Sequence, residues 1–216
     1  IQLNKIKLTL DPLNFKINVK TLGTKIIYQK KNIELESIKI KASINSLIKN
    51  KLVSSNLNIS TKSIALNDLV GFLRVANNRV ELFLLEKMIE KGFAIVDLEI
   101  NFDENGNIKK DYKLKGFLRD GKIAFSNENN FRNINFLLNI KKDNFDFKEI
   151  KFSTNNINFF SDNIKVSKNK KEYFVIGEIE NKNSELNNKF ISLIRPKFEN
   201  INLENFKFAS KNKFSF

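Results

Sequence analysis

The sequence predicts a mostly-β fold, a long antiparallel meander sheet with one short helical pair near residues 67–91. Two observations lead to this prediction. Apolar and polar residues alternate at a period of two through most of the chain, for example over Ala94–Phe102 and Ile134–Ile140, and turn signals separate the alternating segments. Successive side chains of a strand point to opposite faces, so the alternation predicts one apolar face and one polar, lysine-rich face.

Residues 1–66 are predicted to form one strand after another. Asp11-Pro12 separates the first strand from the second, because proline has no N–H to donate to a sheet. Gly23 is expected to turn the chain into a further strand, and Ser46–Lys51 to be irregular. The strands predicted after Pro12 are Leu13–Lys20, Thr24–Gln29, Ile33–Leu35, Ile38–Ile44, Val53–Ser60 and Ser63–Leu66.

The period changes at Asn67, which with Asp68 offers a helix N-cap. Apolar residues then recur at helical spacing, and a second helical run from about Val80 is expected to stop at Gly92, a typical helix C-terminal residue. We expect this pair of helices to cover part of the sheet; a gating or docking role is the alternative. The apolar residues of the two runs are Leu69, Val70, Phe72, Leu73, Phe83, Leu84, Met88 and Ile89.

Strands are predicted again from Phe93 onwards. Asp103–Gly106 is a strong hairpin signal between Ala94–Phe102 and Ile108–Leu118. Asp120-Gly121 predicts another turn or a bulge. The remaining predicted strands are Lys122–Phe125, Phe131–Ile140, Phe145–Phe152, Asn156–Phe160, Asn163–Ser167, Glu172–Glu180 and a final set after Pro196.

The charge balance is strongly basic. The 216 residues include 38 Lys and Arg against 24 Asp and Glu, a net charge of +14. Such a balance is compatible with nucleic acid or anionic lipid as a partner. Lysines fall on the polar phase of the strands, however, and the joint excess of Lys, Asn, Ile and Phe is typical of AT-rich coding, so we favour a solvated face and consider nucleic acid an improbable partner.

The residue types exclude several kinds of chemistry. The chain has no histidine and no cysteine, so Ser-His-Asp, Cys-His and thiolate–metal sites are excluded. Carboxylates two residues apart share the polar face of a strand, where solvated surface is the usual role. We therefore predict no enzyme, no catalytic residue, no metal and no cofactor. These carboxylate pairs are Glu34 with Glu36, Asp97 with Glu99, and Glu178 with Glu180.

The predicted strands offer more apolar face than two short helices can cover, and an exposed apolar area of this kind usually marks a binding surface. An open groove and a sheet closed on itself are both compatible with the pattern. If the groove is open, the candidate lining residues are Phe15, Ile17, Val19, Ile38, Ile40, Leu57, Ile59, Val96, Leu98, Ile100, Phe102, Ile134, Phe136, Leu138 and Ile140.

Two segments carry a resemblance to a known family. The first is Ile38–Leu52 followed by Leu57–Leu66, a strand, a short leucine-containing turn with Asn50 where glycine is usual, and a strand ending in a hydrophobic pair. The second is Phe102–Gly106 continuing through Tyr112–Phe117 to Asp120–Ile123. Together they resemble the AsmA-like proteins of Gram-negative bacteria, the family that includes TamB and YhdP, and particularly its AT-rich alphaproteobacterial members.

The resemblance implies a curved, taco-like sheet, the repeating β-groove of bridge-like lipid-transfer proteins. It implies that this chain is one section of a longer periplasmic protein, with 1–66 and 92–216 as β regions around a helical insertion at 67–91. The implied function is non-enzymatic shielding of phospholipid acyl chains between inner and outer membrane, with a membrane tether outside this section. The alternatives are an envelope scaffold that assists outer-membrane protein assembly by binding other envelope proteins and, less favoured, a nucleic-acid-binding domain.

Overall fold

The protein forms one long antiparallel sheet that does not close. The computed structural model describes residues 1–28, 31–48, 51–76, 80–124, 130–169, 172–185 and 207–216. Its 12-stranded sheet follows the order of the chain, with β1 at one edge and β12 at the other. The strands are β1 Lys5–Asp11, β2 Lys16–Tyr28, β3 Lys31–Ser43, β4 Asn56–Thr61, β5 Ile64–Ala65, β6 Ile89–Asn101, β7 Lys113–Ala124, β8 Asn130–Lys141, β9 Asn144–Thr154, β10 Ile157–Asn169, β11 Glu172–Glu185 and β12 Lys207–Ser215.

This architecture confirms the predicted fold class. Every pair of neighbouring strands in the described chain is antiparallel, as short connections between strands require. Within the described residues β1 and β12 do not pair with each other. The closed-sheet alternative is therefore wrong, and the apolar face has to be accounted for in another way.

A helical insertion interrupts the meander between β5 and β6. The helix α2 spans Leu66–Ala76 and α3 spans Val80–Met88, which confirms the predicted helical pair. The Nε atom of Arg74 in α2 lies 2.5 Å from Oε2 of Glu86 in α3, so an ion pair joins the two helices. A five-residue helix, α1, spans Ile44–Ile48, where the sequence had predicted irregular structure from Ser46.

The short strand β5 continues the line of β4 along the same neighbour. Ser60 of β4 pairs with Asp97 of β6, and Ile64 of β5 pairs with Ala94. The two strands therefore act as one interrupted strand beside β6. The helical insertion leaves the sheet at the end of β5 and returns at the start of β6, so both helices lie at the same end of the strands.

Three neighbouring strands each contain a residue with a left-handed backbone conformation. Asp120 in β7, Asn133 in β8 and Glu149 in β9 have φ values of 53°, 53° and 52°. The ladder shifts register between Leu118 and Gly121 on β7 and twice between Arg132 and Leu137 on β8. Such bulges change which side chains point to which face, and the Asp120-Gly121 signal is a bulge here.

These bulges keep apolar residues on one face although their sequence phase changes. In β7, Leu118 and Ile123 are five residues apart, an odd number that would place them on opposite faces of a regular strand. Both nevertheless pack against the buried cluster under α2. In β9, Phe147 before the bulge contacts Phe136, whereas Phe152 after it contacts Phe131. A strict period of two along the whole strand would have placed one member of each pair on the polar face.

The best-buried apolar residues lie beneath the helices. Leu66 and Val70 of α2 pack against Ile89 and Ala94 of β6. A second cluster lies beside it, where Leu69 and Phe72 of α2 pack against residues of β3 and β5. The members of that second cluster are Ile33, Leu35 and Ile64.

Several local predictions are wrong. Gly23 does not end a strand, because β2 runs through it. Gly92 does not end α3, which stops at Met88; it lies within β6 with a φ of 135°. A Cβ at Gly92 would be 2.5 Å from Cδ1 of Leu66 and 2.9 Å from Cα of Gly121, so glycine is required by close packing. The predicted strands Asn156–Phe160 and Asn163–Ser167 are one strand, β10.

Within the described residues, none of the helices has both the length and the apolar character that a membrane span requires. The predicted strand residue Phe125 and most of the set predicted after Pro196 lie outside the described residues.

Candidate functional site

A continuous row of apolar side chains crosses the middle of the sheet. Each member lies directly opposite the next on the neighbouring strand, and all of them are half-buried. We call this set the central row: Ile38, Ile59, Leu98, Leu114, Ile140, Phe145, Val166 and Val175. Since directly paired residues of antiparallel strands share a face, the row forms a stripe perpendicular to the strands.

Two parallel rows flank the central row on the same face. Toward the helix end, the second row contains Val96, Gly116, Leu138, Phe147, Ile164, Gly177 and Phe214. On the other side, the third row contains Leu8, Val19, Ile40, Leu57 and Ile100. The three rows together make an apolar surface that extends over nearly the whole width of the sheet.

Aromatic rings from neighbouring strands contact one another on this face. The rings of Phe136 and Phe147 lie 5.5 Å apart in an edge-on arrangement. The ring of Phe152 stacks on that of Phe159 at 5.2 Å and lies 5.6 Å from that of Phe131. Such contacts stabilise neighbouring strands and bury part of each ring without any covering element.

The second row has one tight place at its C-terminal end. A Cβ on Gly177 would lie 2.9 Å from Cζ of Phe214 and 2.9 Å from Cγ1 of Ile164. The Phe214 ring therefore occupies the space above Gly177. Phe214 also stacks against Phe216 at 5.8 Å, so aromatic side chains line the apolar face where it reaches β12.

The helices cover one end of the apolar face only. Leu69 of α2 packs against both buried clusters, and the N-terminal members of the central row, Ile38 and Ile59, touch the cluster around Leu35. Beyond β6, no helix of the described chain makes more than weak contact with the strands that carry the central row. The side chains there are half-buried by their neighbours within the sheet.

Most predicted lining residues belong to these rows. Ile38, Ile59, Leu98 and Ile140 lie in the central row, and the others in the flanking rows are Val19, Ile40, Leu57, Val96, Ile100 and Leu138. Ile17 lies on the same face between Leu10 and Ala42 and is buried. Phe136 lies opposite Leu118, and Ile134 opposite Gly121 beside the bulge.

Two predicted lining residues lie beyond the ends of the strands. Phe15 belongs to the turn between β1 and β2, has a φ of 49° and is exposed. Phe102 follows β6 and forms an isolated bridge with Ile108. Both were placed by extending the alternation past the true strand end, where proline or the Asp103 turn redirects the chain.

Sequence reasoning missed the lining residues of β7 and of β9–β12. The residues not named there are Leu114, Phe145, Phe147, Ile164, Val166, Val175 and Phe214. The signal was present, because Phe145 alternates with Phe147 and Ile164 with Val166. It was overlooked because the bulges in β9 and at the middle of β10 break these segments into runs too short to stand out.

On the opposite face, lysines and carboxylates pair across β6–β12. Nζ of Lys113 lies 3.3 Å from Oε1 of Glu99, and Nζ of Lys211 lies 2.6 Å from Oε1 of Glu178. Lys182 donates a hydrogen bond to Glu180, which lowers the pKa of that carboxyl. On β3, Glu34 accepts from Lys62 at 3.3 Å. The carboxylate pairs singled out in the sequence therefore include surface ion-pair partners.

The polar turn after β6 is built around one aspartate. Oδ1 of Asp103 accepts hydrogen bonds from the backbone N–H of Asn105 at 2.8 Å and of Asn107 at 2.9 Å. The hydrogen bond from Asn107 is the largest of the effects that lower the pKa of Asp103. These contacts account for the hairpin signal in the sequence. Among the residues that the structure describes, no group of acidic side chains is arranged to hold a metal ion.

Comparison with known proteins adds no relative. The chain matches no protein-family model, and neither a curated protein nor a solved structure matches it at a significant level. The resemblance noted in the sequence therefore rests on the residues quoted for it, and the proposal below rests on the geometry of the sheet.

Proposed function

We propose that this chain binds phospholipid acyl chains on its apolar face and shields them from water, as a non-enzymatic lipid-transfer section of an AsmA-like envelope protein. The proposal includes a periplasmic location with a membrane tether outside this section. The observation that carries it is the central row, which continues without a polar member from Ile38 to Val175.

The dimensions of the row suit an acyl chain. Neighbouring strands are about 4.8 Å apart, so the row is about 34 Å long. One leaflet of a bilayer contributes about half of a hydrocarbon core that is about 30 Å thick. The row is therefore long enough for acyl chains of two lipids end to end, lying across the strands.

The composition of the row supplies the driving force. Transfer of a methylene group from water to an apolar surface contributes about 0.8 kcal/mol when the group is fully buried. An acyl chain lying on the apolar face between Leu98 and Val175 would be partly buried against Ile140, Phe145 and Val166 along its length. The head group would stay in water, because desolvation of a charged group is costly.

A second candidate function has its own observation. The edge strand β1 is exposed over Lys5–Leu10, and an unpaired strand edge can add a strand from another protein. A scaffold for outer-membrane protein assembly would use this edge. It predicts binding of extended polypeptide without copurifying lipid, and this separates it from the lipid proposal.

The test uses neighbouring residues of β8 that point to opposite faces. Ile140 lies in the central row, whereas Asn139 pairs with Lys115 and Asp146 on the polar face. We expect native mass spectrometry of detergent-free protein, with lipid extraction, to find bound phospholipid in the wild type and in Asn139→Asp. Ile140→Asp should retain the fold but bind much less lipid, because a carboxylate in the row would have to be desolvated.

The stability of both variants is measured by urea denaturation in the same preparations. A wild-type protein that is folded, monodisperse and free of lipid would contradict the proposal. An equal loss of lipid from Ile140→Asp and Asn139→Asp would also contradict it, because binding would then not depend on the apolar face.

A further inference from the structure

The polar face of the first three strands carries a row of like charges. Lys7 of β1 lies directly opposite Lys20 of β2, and Lys20 lies directly opposite Lys39 of β3. Lys5 and Lys41 lie on the same face, two residues along their strands from Lys7 and Lys39. We call Lys7, Lys20 and Lys39 the lysine row. Like charges directly opposite each other in a sheet are destabilising, so this arrangement needs a reason.

Carboxylates do not neutralise the lysine row within the described chain. The residue opposite Lys39 on β4 is Asn58, and the first carboxylate further along the same line is Glu99, which pairs with Lys113. On β11 and β12 the same face behaves differently, because Lys182, Lys211 and Lys213 have Glu178 or Glu180 as partners. The lysine row therefore carries positive charge without the ion pairs that are present on the β12 side of the sheet.

Exposed apolar side chains lie next to this charge. In the turn between β1 and β2, Leu13 is 91% exposed and Phe15 is 70% exposed. Along β1, the residues that alternate with the lysines are also exposed, and Leu8 is 65% accessible. The β1 edge therefore presents lysines on one face and apolar side chains on the other face and at the hairpin tip.

We propose that the β1 edge docks on a bilayer that contains anionic phospholipids. The lysine row would lie at the head groups, while Leu13 and Phe15 enter the boundary between head groups and acyl chains. Basic side chains next to exposed apolar ones are the combination that binds interfaces of this kind. The unpaired lysines of β1–β3 complement anionic head groups, whereas lysines on the β12 side of the sheet are paired with carboxylates.

A nucleic acid fits these residues less well than a bilayer. Single strands are bound by aromatic rings that stack on bases alongside the basic groups. On the face of β1–β3 that carries the lysine row, the described side chains include no aromatic ring. Phe15 lies at the tip of the hairpin, beyond the strands, next to Leu13. Binding of single-stranded DNA is therefore an outcome that would contradict the inference.

This inference deepens the proposed function and rests on it for one point, the route of lipid. The rows of the apolar face continue to the β1 edge, where Leu8 belongs to the third row and Ile6 lies opposite Thr21 beside the central row. Docking of this edge would place the end of the apolar surface against the acyl chains of the bilayer. Docking itself is measured independently of lipid binding.

The test is flotation of the protein with vesicles of phosphatidylcholine, with and without phosphatidylglycerol. We expect the wild type to float with the anionic vesicles, and flotation to decrease as salt is added. The triple variant Lys7→Gln, Lys20→Gln, Lys39→Gln should bind them about 100-fold more weakly, since each lysine near an anionic surface contributes about fivefold.

The matched control removes the same charge from the same face elsewhere. Lys115→Gln, Lys141→Gln, Lys165→Gln changes three exposed lysines of β7, β8 and β10, and we expect at most a fewfold loss of vesicle binding.

A second pair of variants tests the hairpin tip. Leu13→Asn with Phe15→Asn should weaken flotation, and Asn tolerates the positive φ of Phe15; Val80→Asn with Ile108→Asn, two exposed apolar residues elsewhere, should not.

Each other outcome overturns the inference. Equal losses in the two lysine triples would show that net charge alone attracts the protein. Failure of the wild type to float, or tighter binding of single-stranded DNA than of anionic vesicles, would reject a bilayer as the partner. Lipid extraction from the same preparations separates the two proposals: lipid-free protein that still docks through the lysine row contradicts the proposed function alone, and lipid-loaded protein that does not dock contradicts this inference alone.

Discussion

The apolar face of the sheet is covered at one end and open over its middle, although the same kinds of residues line both parts. At the covered end, Leu35 is 2% exposed beside Ile33 and Ile64, with α2 packed over them. In the open part, Leu98 and Leu114 are equally apolar and equally well paired across strands, yet only half-buried. The covered end is a hydrophobic core, whereas the open part is the surface for which we propose lipid binding.

The difference teaches that alternation alone does not distinguish a core from a binding surface. Both regions present leucine and isoleucine at a period of two. What separates them is the position of one inserted helical pair, whose apolar residues Leu66, Leu69 and Val70 pack over β3, β5 and β6, with two residues of β7 at the border of the cluster. Three predictions follow from this difference; the first two compare the contributions of these regions to stability, and the third concerns a turn outside both.

The largest effect on stability is expected from shortening a side chain in the covered region. Leu35→Ala should lower the free energy of unfolding by about 2–5 kcal/mol, because it leaves a cavity in a packed core. Leu98→Ala in the open region should cost about 1 kcal/mol, the average for point substitutions, while weakening lipid binding more than Leu35→Ala does. Urea denaturation measures the first quantity and lipid extraction the second. If the two variants lose the same unfolding free energy, the distinction between a covered core and an open surface is contradicted.

A medium effect is expected where the helices meet the sheet. Gly92→Ala should destabilise the protein by about 1–3 kcal/mol, the usual cost of a strained backbone position, and its Cβ would also collide with Leu66 and Gly121. The matched control is Gly116→Ala, whose Cβ would lie no closer than 3.6 Å to Leu138. Thermal unfolding compares the two. If Gly116→Ala proves the more destabilising, the helix–sheet contact is not where stability is concentrated.

The smallest effect is expected in the Asp103 turn, which belongs to neither region. Hydrogen bonding holds the pKa of Asp103 below its ordinary value of 3.8, so the ionised group favours the folded state. That contribution is present above pH 3.8 and disappears as the pH falls through the lower pKa of the folded state. Asp103→Asn removes this titration and retains an acceptor. The stability advantage of the wild type at pH 6 should shrink toward pH 3; an advantage that is independent of pH would contradict the assignment.

Most of the strands and the helical pair were predictable from the chain because their signals are local. Strand faces follow from alternation within a few residues, and the Asp103 hairpin follows from its side-chain acceptors. Gly92 was misread because a glycine after a helical run usually marks a C-cap. Its actual role is to permit contact with Leu66 and Gly121, residues 26 and 29 positions away in the sequence, which a local pattern does not reveal.

The candidate site was predictable on β3, β4, β6 and β8 and was missed on β9–β12. Val96, Leu98 and Ile100 lie in one uninterrupted run, so their shared face was evident. Phe145, Ile164 and Val166 lie beside bulges that reverse the phase of alternation within a strand. The phase can be followed through a bulge only when the partner strand is known, because the bulge is defined by two residues opposite one.

The sequence by itself determined that the protein is a sheet with one apolar face, one basic face and one helical insertion, because side-chain direction along a strand depends on adjacent residues alone. Tertiary structure decided that the sheet stays open, that α2 covers only its Leu35 end, and that Lys7, Lys20 and Lys39 stand in one row. These features depend on cross-strand register, which is set by turn lengths and bulges. Register joins residues far apart in the chain, and only the folded sheet brings them face to face.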